Sequence, residues 1–143
     1  MHRRYRFRQI INCLNLATPL GLLIAKIGGA TRSSGPDGLV LAHGYRFNFP
    51  IAGAFTVGNV VITKRDRLDH TLITHESRHA TQWAWCAGLP MLPLYLLSML
   101  VSVIVCGDQA SYNPFERLAG LDEGGYPRNP PRWRKRAGGH PHA

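Results

Sequence analysis

Between Ala80 and Gly107 the chain carries no charged side chain, and from Leu94 to Cys106 it is almost wholly aliphatic. A run of this kind either crosses a bilayer, which takes about 20 apolar residues, or forms a core or interfacial helix. Gly88, Pro90 and Pro93 interrupt it, since proline lacks the backbone donor and clashes with the preceding turn. What remains is a helix of about thirteen to sixteen residues, the length of a buried or interfacial helix. The N-terminus poses the same question. Residues 1–8 form a basic arm carrying Arg3, Arg4, Arg6 and Arg8, followed by an uncharged stretch from Gln9 to Ala25. Arginines ahead of an apolar run suit a signal or anchor. However, Asn12, Asn15, Thr18, Pro19 and Gly21 break the run and no clear small-x-small cleavage site follows. An amphipathic first helix, lying on the domain or on a membrane surface, is expected there. A loop rich in Gly, Ser and Pro then runs from Gly28 to Gly38.

Just upstream of the long uncharged run stands His75-Glu76-Ser77-Arg78-His79. On a helix, residues i and i+4 project from one face about one turn apart, so the two imidazoles can reach a single Zn²⁺ at roughly 2.0–2.1 Å. Glu76, about 100° round the helix from His75, falls at the edge of that face, where it can act on a metal-bound water without being a ligand. The flanks support the helix. Leu68, Leu72, His75, Glu76, His79, Trp83 and Cys86 gather on one side, whereas Thr74, Ser77, Arg78, Thr81 and Trp85 fall mainly on the other. Asp66 or Asp69 can cap its start, and Gly88 followed by Pro90 can stop it. The bland alternative is a pair of ordinary helix histidines beside a solvated glutamate.

A catalytic zinc takes three protein ligands and keeps one position open. The downstream carboxylates are Asp108, Glu116, Asp122 and Glu123. Glu116 is best placed, in a segment that opens a helix with Asn113 at the N-cap, Pro114 at N1 and Glu116 at N3. The competing reading of Asn113-x-x-Glu116 is a capping box, in which Glu116 bonds back to the Asn113 backbone and binds no metal. His79 precedes the apolar run and Glu116 follows it. A single crossing of about 30 Å would therefore part the ligands, so zinc binding by all three and a single bilayer crossing exclude one another.

The order of a strand-like segment, the His75–His79 helix, a linker and a helix bearing Glu116 resembles the gluzincin branch of the zincin metallopeptidases over roughly residues 54–121. The resemblance implies a minimal zincin-like domain. It assigns His75, His79 and Glu116 to the metal and Glu76 to the general base, with zinc-activated water attacking a peptide carbonyl and Glu76 passing the proton to the leaving amine. Residues 53–63 are β-branched and punctuated by turns, where zincins place a strand lining the cleft; an edge strand there can pair with an extended peptide. The equal alternative is an ordinary buried strand. Gluzincins often carry an acidic residue one turn after the glutamate ligand, which orients a zinc histidine. Gly120 stands at that position here, and Asp122 or Glu123 are the substitutes. Stabilisation of the oxyanion falls to His43, His70, Tyr112 or Tyr126.

With 143 residues and 45% hydrophobic content, a single domain over residues 1–127 is expected. Cys13, Cys86 and Cys106 are odd in number and widely spaced, which suits core thiols in a reducing compartment. The net charge of +9 is concentrated at the ends. Residues 128–143, with Arg128, Arg132, Arg134, Lys135 and Arg136 around Trp133, have the composition of a flexible basic tail. Such a tail either solubilises or holds anionic lipid or nucleic acid electrostatically. His140 and His142 can bind adventitious metal. No helix-turn-helix, RNA-binding sheet motif or zinc-finger spacing supports nucleic acid as a partner.

The fold expected is a small α+β domain: an N-terminal helix, a short antiparallel sheet from Leu39 to Thr63 packed on the active-site helix, an apolar helix and the Glu116 helix. The function expected is a zinc-dependent peptidase acting on a peptide or protein, cytoplasmic or peripheral on the cytoplasmic membrane face. Two alternatives stand beside it: a membrane-spanning basic protein without activity, and a binding module with a structural metal.

Overall fold

The computed structural model describes residues 2–50 and 52–137. Its backbone contacts divide the chain into two compact units, Met1–Met91 and Leu92–Ala143. The architecture is α+β, with six α-helices and one four-stranded sheet among the described residues.

The first unit holds α1 (Arg3–Leu14), α2 (Ala17–Ile27), β1 (Thr31–Ser34), β2 (Val40–His43), β3 (Ala54–Val57), β4 (Val60–Thr63) and α3 (His70–Trp85). The basic arm expected over residues 1–8 is for the most part the opening of α1, and two N-terminal helices stand where one was expected. Leu16 breaks them apart by taking the left-handed conformation, with φ 67°.

The sheet order is β1-β2-β4-β3. It is mixed, which corrects the antiparallel expectation: β1–β2 and β3–β4 are antiparallel but β2–β4 is parallel. The chain leaves β2, travels to the far edge as β3, and only then turns back into the gap as β4, which therefore runs in the direction of β2. The turn is the two-residue Gly58-Asn59, with Gly58 at φ 61°, a conformation open to glycine without a Cβ clash. Strand β1 lies inside the expected Gly28–Gly38 loop. All four of its side chains are exposed, so no alternation of burial marked it as a strand.

Both faces of the sheet are covered. Val60 and Ile62 pack with Ala25, Leu22 and Ile24 of α2 on one face. Val61 packs with Ala80, Leu72 and Ile73 of α3 on the other. All of β4 is buried, which is why Val60-Val61-Ile62-Thr63 reads as a continuous apolar run rather than an alternating one. Gly21 allows the close approach of α2, since a Cβ there would lie 2.4 Å from the Val57 carbonyl oxygen.

Helix α1 is joined to the back of α3 by buried polar side chains. Arg8 donates to the Ser77 carbonyl at 3.0 Å, to the Ser77 hydroxyl at 2.9 Å and to the Asp37 carbonyl at 2.8 Å. Burial pulls its guanidinium below the ordinary value, with Tyr5 and Asp37 acting the other way. Asn12 donates to Asn59 Oδ1 at 2.8 Å and to the Ala80 carbonyl at 2.9 Å, and neither asparagine reaches solvent to any extent.

The second unit contains α4 (Met91–Cys106, whose first residue ends the preceding unit), α5 (Pro114–Ala119) and α6 (Arg132–Ala137). Asp108 organises the loop after α4. Its carboxylate accepts from the Ala110 and Ser111 amides at 2.8 and 2.7 Å, from the Ser111 hydroxyl at 2.7 Å and from Asn129 Nδ2 at 2.8 Å. The segment read as a flexible basic tail is engaged along its described part. Arg128 pairs with Asp122, Asn129 bonds Asp108, and Arg132 donates to the Val103 carbonyl. His140 and His142 lie outside the described residues.

No single helix among the described residues is long and apolar enough to cross a membrane. Helices α1 and α2 together have the length and composition of a span but are bent by 73° at their break.

Replacing Asn12 by Ala removes the side chain that donates to both Asn59 Oδ1 and the Ala80 carbonyl inside the core. A destabilisation of about 2 kcal/mol is expected, read as a lower urea midpoint at unchanged slope. For Asp108, burial opposes ionisation, but bonds from Ser111, Asn129 and Ala110 outweigh it and hold the carboxyl well below the ordinary range. Its stabilising contribution is therefore complete above the unfolded-state value of about 3.9 and is lost as pH falls toward the depressed folded-state value. Asp108→Asn is expected to be less stable than the parent at pH 7, with the gap closing as pH falls below about 4 in urea melts run across pH.

Candidate metal centre

Helix α3 is well delimited. The Asp69 carboxylate caps its start by accepting from the Leu72 amide at 2.7 Å. Its end turns through Ala87 and Gly88 at positive φ, with the Gly88 amide bonded to the Trp83 carbonyl at 3.0 Å, a Schellman-type closure. Within it His75 and His79 fall one turn apart, as their spacing requires. They are 1% and 7% exposed, and their Nε2 atoms lie 3.0 Å apart. Two ligand atoms on one tetrahedral zinc would be about 3.3 Å apart at normal bond lengths, so the imidazoles already stand close to a shared-ion geometry.

The tautomer of His79 follows from its other nitrogen. Nδ1 faces Gln82 Oε1 at 2.8 Å. A carboxamide oxygen only accepts, so Nδ1 carries the proton and the Nε2 lone pair is directed at His75. His75 Nε2 faces the same place, so a metal held there would be bound by one nitrogen of each ring.

Glu76 occupies the neighbouring arc of α3 and is 3% exposed. Its Oε2 accepts from the Thr56 hydroxyl at 2.6 Å. Thr56 sits on β3, at the edge of the sheet, so the strand expected beside the site is there and holds the glutamate. The Thr56 carbonyl is bonded by the Trp83 indole N–H at 2.8 Å, which occupies one of the main-chain groups that an added peptide strand would use.

In the second unit, Glu116 is 2% exposed on α5. Asn113 is the N-cap, its side chain accepting from the Phe115 amide at 3.0 Å. The capping box does not form: the Asn113 amide bonds the Ala110 carbonyl at 3.0 Å, so its N–H is already satisfied. The Glu116 carboxylate instead accepts from the Tyr95 hydroxyl of α4.

The buried group His75, His79 and Glu116 could hold a metal ion. Two imidazole nitrogens and one carboxylate oxygen, with the His79 lone pair already oriented, fit a divalent transition metal.

Asp108 and Asp122 have partners in their own loops. Asp108 anchors its own loop. Asp122 is exposed and paired with Arg128, whose hydrogen bond and charge hold its carboxyl below the ordinary value. Glu123 lies in the turn after α5, and Gln82 is an acceptor on His79. Of the oxyanion candidates, His43 donates to the Arg65 carbonyl at 3.2 Å and Tyr112 lies under the Arg117 guanidinium. His70 opens α3 on its exposed side, and Tyr126 follows the turn that contains Glu123.

Three supporting residues escaped sequence reasoning. Gln82 was findable from its position three residues after His79, on the same helix face. Tyr95 was findable as the lone phenol in an aliphatic run. Thr56 carried no local signal, because its role depends on how β3 meets α3. Comparison with protein-family models, curated proteins and solved structures finds no match.

Gln82→Ala frees the His79 tautomer, and Tyr95→Phe removes the hydroxyl that orients Glu116. Each is expected to weaken divalent-metal affinity by about 10- to 100-fold in chelator competition.

Proposed function

We propose that this chain is a zinc-dependent hydrolase of peptide bonds, of the gluzincin type, with His75, His79 and Glu116 as ligands and Glu76 as general base. The observation that carries the reading is the buried His75/His79/Glu116 group, with Glu76 next in sequence to the first of its members. That donor set is the one used by catalytic zinc sites that keep a fourth position open. When bound, zinc supplies a water of lowered pKa and polarises a carbonyl.

The remaining work falls to the protein. The Thr56 hydroxyl fixes one oxygen of Glu76, so the carboxylate keeps a single orientation while a proton is taken up and then handed to the leaving amine. Gln82 and Tyr95 hold His79 and Glu116 for the ion. The substrate class is a peptide or protein. The compartment proposed is the reducing cytoplasmic side, since Cys13, Cys86 and Cys106 are all free and burial raises the Cys86 thiol above its ordinary value.

Elemental analysis of the purified chain is expected to find about one zinc per chain, lost in His79→Ala and Glu116→Ala. Glu76→Gln is expected to keep the metal while hydrolysis of a mixed peptide pool falls by about 10²- to 10⁴-fold. Absence of metal would overturn the reading, and a Glu76→Gln variant as active as the parent would reduce the site to a structural metal.

A further inference from the structure

Helix α4 is patterned inside out. The residues it buries or half-buries lie on one narrow stripe: Met91, Tyr95, Ser98, Ser102 and Cys106, with Met99 and Val105 beside them. This stripe holds every hydroxyl of the helix. The Tyr95 hydroxyl bonds Glu116, Ser102 Oγ accepts from the Tyr112 amide at 2.9 Å, and the Cys106 thiol donates to Asp108 Oδ2 at 3.2 Å. The rest of the circumference is aliphatic and open. Leu94, Leu96, Leu97, Leu100, Val103 and Ile104 are between 39% and 64% exposed, and no polar side chain interrupts them. A helix facing water does the opposite, turning its apolar stripe inward and its polar residues out. Isolated exposed leucines need no explanation, but a contiguous face of them marks a partner.

The partner's chemistry follows from length and charge. Sixteen residues rise about 24 Å, less than the roughly 30 Å of a bilayer's hydrocarbon core, which suits a helix lying within one leaflet. Basic groups gather at its C-terminal end. Arg132 donates to the Val103 carbonyl at 3.1 Å, and Arg134 stands exposed on the same short helix α6. No carboxylate lies on α4 itself. An apolar face ending in arginines complements acyl chains bordered by anionic headgroups.

We infer that the outer face of α4 is a membrane-docking surface, lying in the acyl boundary of one leaflet of an anionic bilayer with Arg132 and Arg134 at the headgroups. The inference is independent of the metal centre.

It is tested with the full chain by flotation on vesicles of phosphatidylcholine, with and without phosphatidylglycerol. The parent is expected to float with anionic vesicles. Leu96→Glu combined with Leu100→Glu changes only exposed positions, and should weaken that binding by about a hundredfold or more, the equivalent of losing two buried leucines. Arg132→Glu with Arg134→Glu should weaken binding to anionic vesicles and leave the neutral ones unaffected. Leu97→Trp adds an independent readout, a blue shift of emission on adding vesicles beyond that of the parent. The inference is overturned if the parent binds neither vesicle, or if the leucine variant floats as well as the parent. It is equally overturned if the parent is a dimer that the leucine variant dissociates without any vesicle binding, since the face would then belong to a second copy.

Discussion

The helical period of α3 is the constraint on which the first unit depends, because one helix must satisfy several partners on different arcs of a single cylinder. His75, His79 and Gln82 share one arc, three and four residues apart. Leu72, Ile73, Glu76, Ala80 and Trp83 share the next, and meet the sheet through Val61, Thr56 and the β3 edge. Ser77 and Thr81 lie farther round and receive Arg8 from α1. Trp85 is left to solvent. No arc can be shifted without dragging the others. The orientation of two imidazoles is therefore set by apolar burial on one side and by a guanidinium on another, not by the imidazoles themselves.

That arrangement uses polar groups where a core more often uses hydrocarbon. Arg8, Asn12, Asn59 and Glu76 are all buried, and each would be costly without partners. Arg8 donates to neutral oxygens, which favours geometric definition over ion-pair strength. Buried networks of this sort select one packing among many of similar apolar area. Here the selected packing is the one that keeps α1 on the back of α3 and leaves the ligand-bearing arc apart from it. A site whose groups must be held to within a fraction of an ångström gains more from such definition than from additional apolar area.

Much of the candidate site could be read from the sequence, because helical spacing is a local property. His75, Glu76 and His79 declare their arrangement within five residues, and Asp69 and Gly88 delimit the helix that carries them. Glu116 required an argument by scarcity of carboxylates, and its rival role as a cap could be set aside only once the Asn113 amide was seen bonded to Ala110. The sheet was less legible. The run Val60-Val61-Ile62-Thr63 announced a strand but not its neighbours, since parallel pairing with β2 arises because the chain first passes to the far edge as β3, which no local pattern reveals. Strand β1, Thr-Arg-Ser-Ser with every side chain exposed, has neither alternation nor β-propensity enough to mark it. Its strand character comes entirely from main-chain pairing with β2. The inverted stripe of α4 was equally hidden, because an aliphatic helix broken only by serines and one tyrosine does not reveal which side is inward.

The bond from the Trp83 indole to the Thr56 carbonyl bears on something other than the candidate metal centre. A four-stranded sheet ends in two edges, and each is a template onto which another chain can crystallise as an added strand. At β3 the indole sits on that template as a stopper, taking up an acceptor that a foreign strand would need. At β1 the protection is of another kind: Arg32 and three hydroxyl-bearing residues coat a strand only four residues long, and a short, hydrated, charged edge is a poor seed. The two borders of the sheet are thus closed by different means, one by a tryptophan borrowed from α3 and one by composition. Loss of the indole would open this edge and weaken the core together, since the same side chain is buried.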